Sequence, residues 1–409
     1  MPVESVEDFR LRARGWLADH MPEKPKFVER GGTQDDAEWA RARELQQTLH
    51  EGGFAGITFP TEYGGLGLTS EHQYVFTEES APYEMPLLLN VPSLSICAPT
   101  IMDMGNEEQK RERISRAISG EEILCQFLSE PSGGSNLAGV LTRADRDGDS
   151  WVINGSKIWS TSAYAADYAL CLARTDWDAP KHRGLTMFLI EVHQPGIALN
   201  RLEMVNGSSE FCQEFFTDLV VPTSAVVGEV NDGWTVATQQ LYYERQAVGG
   251  ASPYTSGAGD ANAGYRPATT LANLAKELGI NDEEWVRDLV AQSTVHHTVQ
   301  EHLVPYIVDG VADGRYPGVA MSLTRLFHAE TDWLEYDAGF EIAGSNGVSH
   351  DDSDYAGQWA KHFLMRQGAS LGGGSTEMSR NIISERLLRM PRERADDKDV
   401  PFREVRQGR

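Results

Sequence analysis

Cysteine, positive charge and long apolar runs are all scarce in this sequence, and each scarcity excludes a class of protein. The four cysteines are widely spaced and form no CxxC pair, so neither a zinc site nor a disulfide framework is expected. The formal net charge of −25 argues against nucleic acid or an anionic membrane as a partner. No apolar run approaches membrane-spanning length, and the acidic, polar N-terminus is unlike a signal peptide. We therefore expect a protein of the reducing cytoplasm.

The spacing of the apolar residues divides the 409-residue chain into three regions. Helical spacing up to about residue 120 predicts helices, short β-branched and aromatic runs then predict strands, and helical spacing returns after Gly233. Inside the β region, Asn154-Gly155 is a hairpin turn signal. We predict an α+β multidomain fold with an N-terminal α-helical domain (1–120), a middle antiparallel β-barrel or sheet domain (121–232), a C-terminal α-helical bundle of the four-helix type (233–393) and a charged, frayed tail (394–409).

A glycine turn near the C-terminus is the first candidate binding segment. Gly372–Gly374 lead into Ser375 and Thr376, and a helical pattern of apolar residues begins at Met378. Glycines let a backbone approach a planar or anionic ligand, and the free N–H groups of a first helical turn attract anions. The alternative is an ordinary C-cap followed by an N-cap between two core helices.

Two segments of the β region offer groups for a planar ligand. A Gly/Ser-rich loop after the first predicted strand places the hydroxyls of Ser129 and Ser135 beside bare backbone N–H groups. In the next segment, Trp159 is suited to lie along a planar cofactor while Thr161 hydrogen-bonds to it. The alternatives are an ordinary turn for the first segment and a core tryptophan for the second.

A glutamate in the first helix after the β region is a candidate general base. Glu244 shares a helix face with Gln240, close to Leu241 and Ala237, so its carboxylate is predicted to point inward. Apolar surroundings raise the pKa of a carboxylate and suit it to take a proton near neutral pH. The alternative is a surface glutamate paired with a local arginine.

The order of these segments resembles the acyl-CoA dehydrogenase family along most of the chain, from Phe54 to about Glu393. The matching stretches are FPTEYGGLG, FLSEPSGGSN, NGSKIWSTSAYAAD, FFTDLVVPTSAVVGEVNDGW and RNIISERLLRMPRE. The resemblance implies the acyl-CoA dehydrogenase fold, with FAD between the β-barrel and the C-terminal bundle. It also implies ligand contacts: Leu128, Ser129, Trp159 and Thr161 on the isoalloxazine, Ser375 and Glu377 of the glycine turn beside the flavin, and Ser135, Tyr243 and Arg245 at the acyl-CoA.

The position of the catalytic base also follows from the resemblance. Many family members carry a catalytic glutamate in the glycine turn, where this chain has Gly373. Isovaleryl- and long-chain-type members take it from an L-x-x-E-R pattern in the helix after the barrel, and Glu244 stands in such a pattern here. The resemblance implies α,β-dehydrogenation of an acyl-CoA to the trans-2-enoyl-CoA. Glu244 takes the α-proton, the Gly373 N–H binds the thioester oxygen, FAD takes the β-hydride, and an electron-transfer flavoprotein receives the electrons.

Two stretches depart from the family pattern on the pyrophosphate side of the FAD. Lys276 stands where many members have an arginine that binds the pyrophosphate across a dimer interface, and lysine is a point charge without the arginine fork. The second such loop carries Gly344 and Gly347, followed by three aspartates. We therefore expect a homodimer or homotetramer, or a heterotetramer in which a partner subunit completes the FAD site.

Two other functions remain open from the sequence. The chain is alternatively a flavin-poor or non-catalytic subunit of a heteromeric acyl-CoA dehydrogenase, or a flavin oxidase or monooxygenase on the same scaffold. The Tyr242-Tyr243 pair and the glycine-rich loop 251–265 suggest a branched or ring-bearing acyl chain. No metal site is expected, because the histidines near position 300 lack zinc spacing.

Overall fold

Helices form the first part of the chain. The computed structural model describes residues 4–24, 36–248, 252–254, 270–348 and 354–405. Most of the predicted loop 251–265 lies outside these residues. The N-terminal helices are α1 (Val6–His20), α2 (Asp36–Glu51), α3 (Ser70–Ser80), α4 (Leu87–Leu89), α5 (Ala98–Met104), α6 (Glu107–Gln109) and α7 (Ser115–Ser119). The π-helical segments Asn90–Cys97 and Lys110–Ile114 join α4 to α5 and α6 to α7.

The continuous helix through α4 and α5 corrects the expectation that no apolar run approaches membrane-spanning length. Leu87–Met104 spans 18 residues with a mean hydropathy of 1.3, so it is long and apolar enough to cross a membrane. About two thirds (67%) of it is buried inside the protein, as in a core helix, so it is weak evidence for a membrane. The helix is continuous because a π-helical backbone carries it through Pro92, a residue type that ordinarily breaks a helix.

An eight-stranded sheet follows. Its strands are β1 (Leu124–Phe127), β2 (Arg143–Asp147), β3 (Ser150–Thr161), β4 (Tyr168–Arg174), β5 (Leu185–Glu191), β6 (Ile197–Leu202), β7 (Phe211–Pro222) and β8 (Val226–Val227). Seven strands lie in the order β6-β7-β3-β2-β4-β5-β8, and β1 pairs with β4. The pairings are antiparallel, as predicted, except for the parallel contacts that β4 makes with β1 and β2.

The Asn154-Gly155 pair lies inside β3 and forms no hairpin, so that prediction was wrong. β3 pairs with β7 on both sides of this point, with a register shift between Ile153 and Gly155. The Asn154 amide donates to the Asp218 carboxylate at 3.1 Å, and its oxygen accepts from the Asp218 N–H at 2.9 Å. These residues favour a turn locally, but because β3 pairs with the distant strand β7 they lie at a β-bulge instead.

Helices return after the sheet, which confirms the predicted order of helices, sheet and helices. They are α8 (Gly233–Val248), α9 (Leu271–Glu277), α10 (Glu284–Ala312), α11 (Met321–Ala343), α12 (Ser345–Val348), α13 (Tyr355–Leu371) and α14 (Thr376–Ile382), the last continued by the π-helical turn Ile383–Leu387. Pro305 lies inside α10 without ending it.

The charged C-terminal tail packs on the sheet, so the prediction of a frayed end was wrong for residues up to 405. Phe402 is 1% exposed and lies under the Arg174 guanidinium, which is 3.4 Å from the ring centroid. The Phe402 N–H donates to the Ala179 carbonyl at 3.0 Å. The Lys181 ammonium pairs with the Asp397 carboxylate at 2.8 Å. A buried aromatic residue, a backbone hydrogen bond and an ion pair thus fix a segment whose composition favours disorder.

Helix α8 lies where the three parts of the fold meet. Its Val236 and Ala237 are fully buried in a core shared with the N-terminal helices and one face of the sheet. A second core, around Trp151, fills the opposite face of the sheet, and a third, around Trp359, holds the C-terminal helices together. Since α8 also contacts α11, a side chain in its second half faces both the sheet and the C-terminal helices.

Candidate active site

The Glu244 side chain reaches from α8 toward the sheet. The Gln126 amide of β1 donates to Glu244 Oε2 at 3.3 Å, so the carboxylate is partly buried and directed inward. Burial raises the pKa of Glu244 above its ordinary value, while the positive charges of Arg245 and Arg325 oppose that rise. The result is a carboxylate that is a stronger base than an exposed glutamate.

The glycine turn packs against α8 one helical turn beyond Glu244. Gly373 has a φ of +68°, a conformation that favours glycine. A methyl group at this position would lie 3.0 Å from Cγ2 of Val248. Because Val248 follows Glu244 by four residues, the two side chains share one face of the helix. The bare backbone of the turn therefore lies against the face of α8 that carries Glu244.

Arg325 connects the glycine turn to the base, and sequence reasoning missed it. This residue of α11 is 1% exposed, and its Nη2 donates to the carbonyl oxygens of Ala369, at 2.7 Å, and Gly372. Burial lowers the pKa of Arg325, while the charges of Asp332 and Glu244 raise it. The guanidinium thus fixes the turn and places a positive charge beside the base. The only signal in the sequence is one arginine within the apolar pattern of a helix.

The helix after the glycine turn begins as predicted. Ser375 is the N-cap of α14, and its hydroxyl accepts a hydrogen bond from the Met378 N–H at 3.2 Å. The Thr376 hydroxyl donates to Glu377 at 3.3 Å. The pKa of the exposed Glu377 is lowered by hydrogen bonds from the Glu377 backbone N–H and from the Ser375 hydroxyl. Ser375 therefore acts as the N-cap of α14, and Glu377 presents a carboxylate at the surface of the turn.

Trp159 stands out from the sheet in a strained conformation. Its φ of +66° lies in the left-handed region, which is uncommon for a bulky residue, and the residue is 53% exposed. Ser129 follows the end of β1 by two residues and lies beside this part of β3, since the Ile158 N–H donates to the Ser129 carbonyl at 3.0 Å. The Ser129 and Thr161 hydroxyls have no hydrogen-bond partner in the described part of the chain. An exposed ring and two hydroxyls without partners among the described residues fit a planar, hydrogen-bonding group such as an isoalloxazine.

A buried ion pair fixes the loop that carries these groups. Lys157 is 0% exposed, and its ammonium donates to Glu130 Oε1 at 2.9 Å and to the Leu128 carbonyl at 3.0 Å. Glu130 also accepts the N–H groups of Leu141 and Thr142 at 2.6 and 2.9 Å. Burial acts to raise the pKa of Glu130, but Lys157 and these hydrogen bonds lower it overall. Leu128, itself buried, is thereby held in place at the start of the loop.

The residues predicted for the acyl-CoA lie in three different environments. Ser135 is exposed in the loop after Ser129. Tyr243 is buried, and its hydroxyl donates to Asp103 of α5 at 2.6 Å, so this side chain ties α8 to the N-terminal helices. Arg245 is partly buried, and burial lowers its pKa while Glu244 opposes the change. Within the described residues the side chains of Ser135 and Arg245 form no hydrogen bond or ion pair, whereas the Tyr243 hydroxyl is already engaged by Asp103.

The three residues predicted for the FAD pyrophosphate lie on the C-terminal helices. They form a group that is separate from the site around Glu244. Lys276 is exposed in the last turn of α9, and Gly344 is exposed at the end of α11. Gly347 is buried in α12, where a methyl group would lie 3.0 Å from Cβ of Ala343. No hydrogen bond or ion pair among the described residues joins this group to the glycine turn.

Comparisons with known proteins identify the family of this chain. Three family models match: the acyl-CoA dehydrogenase N-terminal domain over residues 4–121, the middle domain over 125–219 and the C-terminal domain over 231–388. The acyl-CoA dehydrogenase IpdE1 of Mycobacterium tuberculosis is 31% identical over 96% of this chain and 99% of its own. Two solved structures are each 27% identical over 96% of this chain and 100% of theirs. They are a Tcur3481-Tcur3483 steroid ACAD, with a TM-score of 0.78, and the ChsE4-ChsE5 complex from M. tuberculosis, with a TM-score of 0.72.

Proposed function

Since the chain belongs to the acyl-CoA dehydrogenase family, we propose that it introduces the α,β double bond of an acyl-CoA thioester with Glu244 as the base. Members of this family are FAD-dependent oxidoreductases that act on the CH–CH bond of acyl-CoA. The observation that carries the proposal is the inward Glu244 carboxylate, held by Gln126 and bordered by the bare Gly373 turn. No carboxylate stands at Gly373, so Glu244 supplies the base that the reaction requires.

Glu244 removes the α-proton of the thioester. The α-proton is weakly acidic, so negative charge that develops on the thioester oxygen needs fixed donors. The Gly373 N–H is suited to that role, because Arg325 holds the preceding carbonyls and keeps the turn in place. Arg325 also offsets the negative charge of the ionised base. Bound FAD supplies the acceptor for the β-hydride, which completes the two-electron oxidation.

The groups that would hold FAD divide between the sheet and the C-terminal helices. Trp159 would lie along the ring system, with Leu128, Ser129 and Thr161 at its edge. Ser375 and Glu377 would border it from the glycine turn, and Lys276, Gly344 and Gly347 would lie on the pyrophosphate side. The exposure of Lys276 and Gly344 favours a site that a second subunit completes.

The likeness to two-chain assemblies supports a heteromeric enzyme, with a homodimer or homotetramer as the alternative. Both solved structures named above carry the names of two different chains. One of them is called a steroid ACAD, which supports a bulky, ring-bearing acyl group for this chain. Ser135 and Arg245 would then contact the acyl-CoA, and an electron-transfer flavoprotein would receive the electrons. The four buried thiols, none of them in a disulfide, fit a reducing cytoplasm.

A substrate panel with a dye acceptor tests the proposal. The full chain is supplied with FAD, alone and with a candidate partner subunit, and given straight-chain, branched and ring-bearing acyl-CoA thioesters. We expect ring-bearing thioesters to reduce the dye fastest, and Glu244→Gln to lower turnover by roughly 10²- to 10⁴-fold while flavin stays bound. Glu229→Gln, at an exposed position before α8, is the matched control and should keep full turnover.

Three results of the panel would contradict the proposal. Unchanged turnover in Glu244→Gln would remove the base assignment. A colourless chain that gains no activity with any partner would favour the flavin-poor subunit instead. Rapid peroxide formation without a dye would favour the oxidase.

A further inference from the structure

Glu214 is a buried carboxylic acid that the proposed reaction does not use. It lies on β7 and is 0% exposed, and its Oε2 accepts a hydrogen bond from the Ser160 hydroxyl at 2.9 Å. Its Oε1 is also buried and has no hydrogen-bond partner among the residues that the structure describes. Burial of a carboxyl group is costly, and the Ser160 hydroxyl is the one side chain that forms a hydrogen bond with it among the described residues.

Ser160 lies between the two residues proposed to meet the flavin ring, Trp159 and Thr161. The β3–β7 register shifts between Ile158 and Ser160, so Trp159 is the extra residue of a β-bulge. The bulge turns the Trp159 ring outward, while the adjacent Ser160 side chain is buried and points inward to Glu214. The Ser160–Glu214 hydrogen bond therefore supports the strained bulge from the inside of the sheet.

The other ionisable groups around Glu214 do not titrate near neutral pH or are already paired. Lys157, opposite Glu214 in the strand register, forms the ion pair with Glu130. Burial raises the pKa of three neighbouring thiols: well above its ordinary value for Cys125, to about 12 for Cys171 and to about 11 for Cys212. Burial also raises the pKa of Glu214, to about 7, although the Ser160 hydrogen bond opposes the rise.

We propose that Glu214, acting through Ser160, is a positioning residue that holds the Trp159 bulge in the shape that receives the flavin ring. The inference rests on the proposed flavin face of Trp159 and Thr161. Without an acceptor for the Ser160 hydroxyl, the left-handed Trp159 backbone loses its inner support. Because an ionised carboxylate accepts a stronger hydrogen bond than a neutral acid, the bulge is held more firmly above the pKa of Glu214 than below it.

The first measurement is FAD binding to the full chain and its variants. Glu214→Leu removes the acceptor of the Ser160–Glu214 hydrogen bond and replaces it with a side chain of similar volume. Ser160→Ala removes the donor and deletes one oxygen atom. We expect each to raise the Kd for FAD by about tenfold, the effect of one buried hydrogen bond. Glu214→Gln keeps an acceptor and should bind FAD within about threefold of the wild type. Thr217→Val, on an exposed position of the same strand, is the matched control.

The second measurement needs no FAD and reports on the bulge itself. The emission of Trp159 is obtained as the difference between each protein and its Trp159→Phe counterpart, and it is followed from pH 5 to pH 9. We expect the wild-type signal to change with a midpoint near the pKa of Glu214, about 7. Glu214→Gln should show no such change, because the amide does not ionise.

Two outcomes would overturn the inference. One is wild-type FAD affinity in both Glu214→Leu and Ser160→Ala. The other is an unchanged Trp159 pH response in Glu214→Gln. If neither the wild type nor any variant binds FAD, the result counts against the proposed function and not against this inference. The pH titration of Trp159 emission, which needs no FAD, then still tests the inference. Ser160→Ala keeps the test decisive if the leucine variant does not fold.

Discussion

The buried Glu214 makes a quantitative prediction about stability. Its pKa is about 7 in the folded chain and close to 4.5 in the unfolded chain. A group whose pKa is raised on folding contributes stability below its unfolded pKa and loses it as the pH rises through the folded value. At 1.36 kcal/mol for each pH unit between the two values, the loss is roughly 3 kcal/mol, complete somewhat above pH 7. About 2.5 kcal/mol of it should fall between pH 5 and pH 8.

Urea unfolding of the wild type and of Glu214→Gln at pH 5 and pH 8 measures this loss. The amide does not titrate, so the free energy of unfolding of the wild type should fall relative to the variant by about 2.5 kcal/mol across that interval. Glu229→Gln, whose carboxylate is exposed, should run parallel to the wild type. Parallel behaviour of Glu214→Gln and the wild type would refute the reasoning, because it would mean that Glu214 ionises alike in both states.

Three further substitutions test contacts of the site and the tail. Lys157→Met leaves the buried Glu130 without its cation and should lower the free energy of unfolding by about 3–5 kcal/mol in urea, with partial recovery when Glu130→Gln is added. Arg325→Gln removes a charge that lowers the pKa of Glu244. The acid limb of its pH–rate profile should therefore move to higher pH, and an unmoved limb would contradict the contact. Phe402→Ala should speed proteolytic removal of the docked tail, and a wild-type cleavage rate would show that the ring does not hold it.

The three-part architecture was predictable because each part has its own period. Apolar residues recur at helical spacing before about residue 120 and after Gly233, and short β-branched runs lie between them. The packed tail was not predictable, because its charged composition conceals Phe402. Asn154-Gly155 misled for a different reason. Local turn propensity gave way to pairing with Asp218, 64 residues away, which no local pattern encodes.

The candidate site was predictable only in part, because some of its contacts join residues that are far apart in the chain. The helix placement of Glu244 and the existence of a glycine turn before the last helix follow from spacing and residue type. Gln126 was missed because its partner, Glu244, lies 118 residues away in the chain. Arg325 was missed because its acceptors are backbone carbonyls, which leave no trace in residue identity. The Tyr243 hydroxyl, expected at the substrate, is engaged by Asp103.

Hydrogen exchange at the α-carbon of a bound acyl-CoA tests the central claim most directly, because it reports proton removal apart from hydride transfer. The FAD-loaded chain is incubated with an acyl-CoA thioester in D₂O, and deuterium at the α-carbon is followed by mass spectrometry. If Glu244 is the base, Glu244→Gln should lose exchange by roughly 10²- to 10⁴-fold while it binds the thioester with near wild-type affinity. Exchange at the wild-type rate in Glu244→Gln would contradict the account.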